Sequence, residues 1–571
     1  MGEAGGLSRS GMSRRGFLSA AAFGAAGAAT LGAGVPSAGA RTRLRSQAPA
    51  NGLPSPDSIT VTDPAFLDAV QAASLLQSGA LHPRELLDAC LTRSNEFDGE
   101  IGGWIRIYPE MAYEAADAAA QRLSQQSVST NGPAPLVCGL PLALKDLFAV
   151  SGLPLTASSR VLEGNIAAGD STVWRRLKDA GMVLLGHAHT DEFAIGVATE
   201  QVGNPWNTEY SPGGSSGGSA AVLAARFVPL ATGTDTGGSL RLPASACGIT
   251  SIKPTFGRCS VRGVIPLTWT RDHAGPMGRS VADAALMLGF MAGADPEDPS
   301  TAAGPAVPDG GYPLSAKGGP TPLSGKRFGV VRSDVDALPD ATRTLFDEYL
   351  DLVRRLGGTT VDVELPVLPP ELIDGDTVEM GSYHNQFKDR LGLYRLDNAA
   401  TATKAIAALA WPAIDYMTAA RDRLIYQHEY NRMFADHDLD AILVPGAKAD
   451  GAKRSEIAGI PVFAGVTGNV HWANRTGAPV ISTPAGRSAA TGMPFGVQVG
   501  GRPWDESTLI EIVLELQAAR PDLLEAPTVA PATRDIPRVQ VTTPGAGPDP
   551  TNTANVGFGF HFLPTTSTAA I

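Results

Sequence analysis

Cysteine is scarce in this chain, with 4 residues in 571. No two of them have the C-x-x-C spacing of a zinc or redox site, and they are too sparse for the disulfide framework of a small secreted domain. Basic charge is also in deficit, since 45 Lys and Arg stand against 57 Asp and Glu, a formal net charge of −12. This balance excludes a nucleic-acid-binding protein, which needs a positive surface. With 43% hydrophobic and 18% charged residues, the composition is globular.

The N-terminus carries the three parts of an export signal in order. The residues Ser13-Arg14-Arg15-Gly16-Phe17-Leu18 have the twin-arginine pattern, a run of small apolar residues follows, and Ala38-Gly39-Ala40 is an A-x-A cleavage site. A retained membrane anchor is the alternative, but the Gly- and Ala-rich run is a poor spanning helix. We therefore predict a signal peptide over 1–40, cleaved near Ala40, and a periplasmic or extracellular mature protein without a membrane span.

The four cysteines bear on the same prediction of export. Twin-arginine export moves proteins that have already folded in the cytoplasm, so the fold need not depend on disulfides. We expect Cys90, Cys138, Cys247 and Cys259 to be small buried side chains, although export leaves one or two bridges open.

Short apolar runs alternate with helical patterns from residue 61 to residue 525. The strand pattern MVLLGHAH and the helical pattern ESTLIEIVLELQAA are examples. This alternation predicts one large α/β domain with a central, largely parallel or mixed sheet. Residues 41–60 are rich in Pro and lack periodicity, which indicates a linker. Residues 526–571 also lack periodicity, and we expect a poorly ordered tail there.

The block SPGGSSGGSA, residues 211–220, admits several interpretations. A flexible linker does not fit, because a helical pattern and a strand pattern follow at once. The glycine spacing fits a P-loop, but Ser219-Ala220 stand where Lys-Ser/Thr is required. The block also fits the G-x-S-x-G nucleophile elbow around Ser215, but a polar loop, not a strand, precedes it.

A further interpretation joins this block to two other places. Ser239 follows Ser215 by 24 residues and lies within DTGGSLR, directly after a strand pattern. Lys145 precedes Ser215 by 70 residues and lies within LPLALKDLFAV. Lysine is rarely buried without a reason. These features resemble the amidase signature family of serine hydrolases over roughly residues 60–520. The resemblance is carried by the stretches NPWNTEYSPGGSSGGSAAVLAA, GTDTGGSLRLPASACGITSIKPTFGR and DHAGPMGRSVADAALML.

The resemblance implies an α/β fold, with a central twisted mixed β-sheet flanked by helices, and a Ser–Ser–Lys triad without a metal or cofactor. Ser239 would be the nucleophile, Ser215, in a cis peptide, the proton relay, and Lys145 the base. An oxyanion hole would come from the backbone N–H groups of Thr236, Gly237, Gly238 and Ser239. Three further residues would hold the loops without being catalytic: Ser216, Asp235 and Arg241.

Amide hydrolysis explains why these residue types are needed together. A serine hydroxyl is a weak nucleophile until a base takes its proton, and a lysine with its ordinary pKa of ~10.4 is protonated at neutral pH. The apolar flanks of Lys145 predict burial, which lowers the pKa of an amine. The glycines around Ser215 allow backbone conformations that other residues avoid. Alone, Lys145 could be a surface lysine and Ser239 a helix cap, but their joint order and spacing indicate chemistry.

A second polar cluster has the composition of a metal site. It contains His187, His189, Asp191 and Glu192. The surrounding sequence VLLGHAHTDEF indicates a strand end and a turn, and no further ligand stands out. We therefore expect structural hydrogen bonds here.

The expected reaction is hydrolysis of a linear amide, in a small molecule or a peptide, through a seryl acyl-enzyme. The resemblance places the substrate pocket at roughly 375–430, which leaves aliphatic, aryl and peptide C-terminal amides open. Part of the family is the amidotransferase subunit that supplies ammonia to misacylated tRNA, but the export signal and the absence of a basic patch argue against that role. An esterase that uses Ser215 and a non-catalytic binding protein on the same scaffold remain alternatives, as do a monomer and a homodimer.

Overall fold

One mixed β-sheet organises the residues that the computed structural model describes, which are 52–125, 133–369, 371–447, 451–457 and 470–539. The predicted signal peptide lies outside these residues. The strands, β1 to β11 in chain order, are Trp104–Ile107, Pro141–Lys145, Val183–Ala188, Leu230–Asp235, Thr250–Lys253, His273–Gly278, Arg327–Val331, Thr359–Val363, Ala441–Pro445, Val480–Arg487 and Pro494–Gly500. Their order in the sheet is β1-β3-β2-β4-β6-β5-β10-β11-β9-β7-β8.

Helices flank the sheet, and several of their ends follow from local sequence. Helix α2 begins with Pro83 in its first turn, and Gly102, just past its end, adopts the left-handed conformation with φ 62°. The helices, α1 to α15 in chain order, are Ala69–Ser78, Pro83–Ile101, Pro109–Ser124, Thr172–Asp179, Gly217–Ala224, Arg241–Cys247, Val281–Met291, Arg332–Asp336, Asp340–Arg355, Glu371–His384, Leu396–Ala407, Ala413–Asp436, Arg454–Ile457, His471–Thr476 and Glu506–Ala519. The α/β class and the mixed sheet predicted from the sequence are confirmed.

Strand directions bring three polar residues to one edge of the sheet. Strand β2 pairs in parallel with both β3 and β4, and parallel strands end at the same edge, where α/β proteins place their sites. Lys145 ends β2 and Asp235 ends β4. Strand β6 is antiparallel to both β4 and β5, so β5 runs in the direction of β4 and its last residue, Lys253, lies at this edge too.

The core explains why the central strands are continuous apolar runs. Every residue of β2, β3 and β4 is buried, as expected of strands covered on both faces. Helix α5 is also buried along its whole length and packs against β2 and β4. The site at the ends of these strands therefore rests on a closely packed part of the sheet.

The chain segments that flank the domain have more contacts than the sequence suggested. Arg534 Nε donates to Asp98 Oδ2 over 2.8 Å, and the Gly99 N–H donates to the Ala532 carbonyl over 2.6 Å. Near the other end, Ser74 Oγ donates to the Pro54 carbonyl over 2.7 Å. These hydrogen bonds join Ala532 and Arg534 to α2, and the poorly ordered tail over 526–571 stays a prediction. Residues 540–571 lie outside the described part.

All four cysteines are free and buried. Burial raises the pKa of Cys90 and of Cys259 to about 12, so these thiols stay protonated and behave as small apolar side chains. Among the described residues, no helix combines the length and the apolar character that crossing a membrane requires.

Candidate active site

Lys145 is enclosed by hydroxyl groups. Its side chain is completely buried, and Nζ donates to Ser215 Oγ over 2.7 Å, to Ser216 Oγ over 2.9 Å and to Thr234 Oγ1 over 2.8 Å. Serine and threonine hydroxyls both donate and accept hydrogen bonds. The amine can therefore exchange a proton with a neighbouring serine.

Burial also tunes the charge of Lys145. It lowers the pKa of the amine to about 7, against the opposing attraction of Asp235, Asp191 and Asp272, which favour the charged form. A group that titrates near neutral pH is well matched to general acid–base work. The apolar flanks in the sequence correctly predicted this burial.

Ser215 lies in the loop two residues before α5, and its peptide bond to Gly214 is cis. Its carbonyl accepts from the Asp191 N–H over 2.9 Å and from Thr199 Oγ1 over 3.2 Å. No strand immediately precedes Ser215, because residues 211–216 form a loop. The nucleophile-elbow interpretation therefore fails on geometry.

The glycines of the block serve two different purposes. Gly213 has φ 74°, a conformation that glycine adopts without steric cost. At Gly217 the reason is space, since a Cβ would lie 2.5 Å from Thr199 Oγ1. Backbone conformation, the reason predicted from the sequence for these glycines, therefore explains Gly213, whereas close packing explains Gly217.

Ser239 lies in the loop between β4 and α6 and is 5% exposed. The Ser216 N–H donates to the Ser239 carbonyl over 3.3 Å, which joins this loop to the Ser215 block. The Ser239 hydroxyl makes no hydrogen bond to any residue that the structure describes. It is therefore open to a substrate, and its proposed link to Ser215 is not formed in this structure.

The same loop carries the backbone groups predicted to bind an oxyanion. The N–H groups of Thr236, Gly237 and Ser239 have no hydrogen-bond acceptor within the described residues. The Gly238 N–H, by contrast, donates to Asp235 Oδ1 over 2.8 Å. In this structure the Gly238 donor is used by Asp235, which leaves three groups for a substrate oxygen, and the oxyanion role of Gly238 stays a prediction.

Asp235 and Arg241 form the buried ion pair that shapes this loop. Arg241 Nε lies 3.0 Å from Asp235 Oδ2, and both side chains are fully buried. Burial alone would raise the pKa of Asp235, but the Arg241 guanidinium holds it well below its ordinary value. Asn474 Nδ2 donates to Asp235 Oδ1 over 2.8 Å, and Arg241 Nη1 donates to Gln498 Oε1 over 2.6 Å. The sequence analysis named Asp235 and Arg241 as residues that hold the loops. It gave no signal for Asn474 or Gln498, which lie in distant segments of the chain.

Two further residues near the loop were not predicted. Lys253 is completely buried, and its Nζ donates to the Pro254 carbonyl over 3.0 Å. His471 begins α14, and its ring lies 3.2 Å from the point where a Cβ on Gly237 would be. Burial lowers the pKa of His471 to about 3, so the ring is neutral. An apolar context marked Lys145 in the sequence, whereas nothing comparable marks these two residues.

The histidine and acid cluster has structural partners. His187 Nε2 lies 3.0 Å from the Phe148 carbonyl, and His189 Nδ1 lies 3.1 Å from Ser158 Oγ. Asp191 accepts from the Ala198 N–H over 3.1 Å, and Glu192 accepts from Ser159 Oγ over 2.6 Å. Within the described ranges, no group of His, Cys, Asp and Glu side chains is arranged to hold a metal ion.

Comparisons with known proteins agree with this geometry. A family model described as Amidase matches residues 85–510. A glutamyl-tRNA(Gln) amidotransferase subunit of Roseobacter denitrificans is 34% identical over 494 residues, which cover 79% of this chain and 97% of that protein.

Solved structures show the same fold. The native peptide amidase from Stenotrophomonas maltophilia has a TM-score of 0.69 and 27% identity, covering 81% of this chain and 99% of its own. A chain from a vestigial protein complex, described as revealing the evolutionary origins of an s-triazine catabolic enzyme, has a TM-score of 0.69 and 30% identity, covering 79% and 98%.

Proposed function

Because the chain belongs to the amidase signature family, whose members act on carbon–nitrogen bonds, we propose that it hydrolyses a linear amide of a small molecule or a peptide through a seryl acyl-enzyme. The observation that carries this proposal is the hydrogen bond of 2.7 Å between Lys145 Nζ and Ser215 Oγ. It joins a buried amine with a pKa of about 7 to a loop that is hydrogen-bonded to the Ser239 loop.

The proton path follows from this arrangement. Ser239 Oγ attacks the amide carbon while its proton passes to Ser215, and the Ser215 proton passes to the neutral Lys145 amine. The carbonyl oxygen becomes an oxyanion, which the N–H groups of Thr236, Gly237 and Ser239 stabilise. Lys145 then returns a proton through Ser215 to the leaving nitrogen, and the C–N bond breaks. Water hydrolyses the seryl ester by the same steps.

Ammonia or amine release from a panel of aliphatic, aryl and peptide C-terminal amides tests this function. We expect at least one class to be hydrolysed, and we expect Ser239→Ala to lower kcat by about 10⁴-fold or more, the scale seen when a serine nucleophile is removed. Ser219→Ala is the matched control, since Ser219 is buried in α5 and its hydroxyl has no hydrogen-bond partner in the described part of the chain. Near wild-type turnover in Ser239→Ala would overturn the proposal.

We also propose that the enzyme is exported. The support is the twin-arginine pattern at residues 13–18 and the cleavage site at 38–40. Cell fractionation of the full chain should find the mature enzyme outside the cytoplasm, and replacement of Arg14 and Arg15 by lysine should retain it inside. Equal fractionation of both forms would contradict export.

A second candidate function is ammonia supply from glutamine within a complex. The similarity to the Roseobacter amidotransferase protein, at 34% identity, favours it. A net charge of −12 argues against tRNA contact by this chain itself. Hydrolysis of glutamine alone, with every other amide inert, would support this candidate over the first.

A further inference from the structure

We propose that three arginines beside the candidate active site, two of them buried, bind a carboxylate of the substrate, so that the preferred amide carries a negative charge. This inference rests on the proposed amidase function and names its substrate class. The arginines are Arg271, which precedes β6, Arg423 in α12 and Arg475 in α14. They come from three distant segments, and we call them the arginine cluster.

The arginine cluster converges on a single carboxylate. Arg475 Nη2 lies 2.7 Å from Asp376 Oδ2, Arg271 Nε lies 2.9 Å from Asp376 Oδ1, and Arg423 Nη2 lies 3.6 Å from the same oxygen. The side chains of Arg475 and Arg271 are 2% and 8% exposed. One carboxylate cannot neutralise three guanidinium groups.

A second acid, Glu379, lies near the arginine cluster, but its oxygens have other hydrogen-bond donors. Glu379 accepts hydrogen bonds from Thr270 Oγ1 over 2.8 Å and from Tyr416 Oη over 3.1 Å. Only Arg423 approaches it, with Nη2 at 3.8 Å from Oε1. Arg271 also lies near the Asp272 carboxyl, whose oxygens accept hydrogen bonds from Thr236 and Thr268. Burial, and next the repulsion from Arg271, lowers the pKa of Arg475 to about 10.

Several donors of the arginine cluster have no acceptor among the residues that the structure describes. Arg475 Nε and Nη1, Arg271 Nη1 and Arg423 Nε are buried there without a hydrogen-bond partner, and Arg271 Nε reaches Asp376 without hydrogen-bond geometry. Buried polar groups are almost always paired, and guanidinium groups pair best with a planar two-oxygen anion. The open donors therefore point to a carboxylate as the missing partner.

Arg271 is one of two residues that place the arginine cluster beside the candidate oxyanion loop, residues 236–239. The next residue, Asp272, accepts a hydrogen bond from Thr236 Oγ1, and it also accepts from the Thr268 N–H over 3.0 Å. Asp272 therefore points to the loop and is not the partner that Arg271 lacks. A ligand on Arg271 would lie beside the loop.

Arg475 is the second residue that places the arginine cluster beside the candidate oxyanion loop. It lies one helical turn after His471, whose ring contacts Gly237. Charges of Arg475 and Arg271 both help to lower the pKa of His471, after burial, which places both guanidinium groups near that ring. A carboxylate held by these arginines would thus lie near the reacting amide. Half-amides of dicarboxylic acids, such as succinamate and glutaramate, have this chemistry.

A comparison of charged and neutral amides on the wild-type enzyme tests the proposal. We expect kcat/KM for succinamate to exceed that for butyramide by about tenfold or more, since hydrogen bonds to charged groups have that scale. The ratio should fall towards one in Arg475→Gln and in Arg271→Gln. Arg421→Gln is the matched control, because Arg421 lies on the same helix as Arg423 but is 69% exposed and faces Asp422; we expect its ratio to stay at the wild-type value.

Binding separates a failure of this proposal from a failure of the proposed function. Calorimetric titration of wild-type enzyme with glutarate needs no turnover, and we expect binding that is about tenfold weaker in Arg475→Gln and unchanged in Arg421→Gln. Glutarate binding without hydrolysis of any amide would retain the anion site and overturn the amidase proposal. Equal wild-type activity on succinamate and butyramide, with no glutarate binding, would overturn the anion site and retain the amidase. The wild-type measurements decide even where an arginine variant does not fold.

Discussion

Lys145 and Lys253 are both completely buried, and both end strands that point to the same edge of the sheet. Their surroundings differ in one respect. Lys145 Nζ has three hydroxyl groups within 2.9 Å, whereas Lys253 Nζ donates to the Pro254 carbonyl. A carbonyl can only accept a hydrogen bond, but a hydroxyl can also deliver a proton. Burial thus lowers the pKa of the amine at either position, but only the hydroxyl neighbours of Lys145 make an amine useful as a base.

The charges around the two lysines sharpen this contrast. Burial lowers both pKa values, and the Asp235 carboxylate opposes the shift in both. Lys253 is also close to the Arg241 guanidinium, which lowers its pKa further. Lys145 therefore titrates near pH 7, where it can take up and return a proton, whereas the pKa of Lys253 is lowered well below its ordinary value.

Replacing each lysine by methionine should have the largest effect on this comparison. We expect Lys145→Met to lower kcat by about 10³-fold, within the range for loss of a general base, because Ser215 loses its proton acceptor. Lys253→Met should change kcat by less than about tenfold, since an apolar isostere in place of a buried ionisable group is often tolerated. Steady-state kinetics on one amide substrate, with circular dichroism to check folding, measures both. An equal loss of activity in the two variants would contradict the distinction between them.

The pH dependence of kcat/KM should identify which lysine titrates in catalysis. The active base is the neutral amine, and Lys145 has a pKa of about 7. Activity should therefore rise with pH through about pH 7, and below that value it should fall by about tenfold per pH unit as the ammonium form accumulates. Lys253→Met should keep this acid limb. A wild-type profile without an acid limb between pH 5 and 8 would show that Lys145 is not the base.

Removing one hydroxyl from the Lys145 environment should have the smallest effect. In Thr234→Val the amine keeps its two serine neighbours, so we expect kcat to fall by about tenfold, the scale of one hydrogen bond to a group that carries charge. The ammonium form loses one acceptor, so the acid limb should move to lower pH. A purely structural role for Thr234 would lower thermal stability and leave the pH profile in place.

The sequence predicted the residues whose signal is local. Lys145 stood out because its neighbours are apolar, and the Ser215 block because its glycines are dense. Strands β2, β3 and β4 were predictable as apolar runs. Strand β6, His273–Gly278, was not, because HAGPMG contains the Gly and Pro typical of turns. Its pairing with β4 and β5 on both sides overrides that local preference.

Features that are assembled from distant segments of the chain could not be predicted from the sequence. The arginine cluster unites residues 271, 423 and 475, and none of the three lies in a distinctive pattern. The sequence gave no sign that the Gly238 N–H, one of the predicted oxyanion donors, donates to Asp235. Hydrogen-bond partners within a loop depend on backbone orientation, which a motif does not specify.

Covalent labelling with a fluorophosphonate, mapped by mass spectrometry, tests the central claim most directly. The reagent reacts with the serine that acts as nucleophile. The account predicts a single adduct on Ser239 that disappears in Ser239→Ala and is formed much more slowly in Lys145→Met. An adduct on Ser215 in the wild-type enzyme would contradict it, because the nucleophile and the proton relay would then have been assigned the wrong way round.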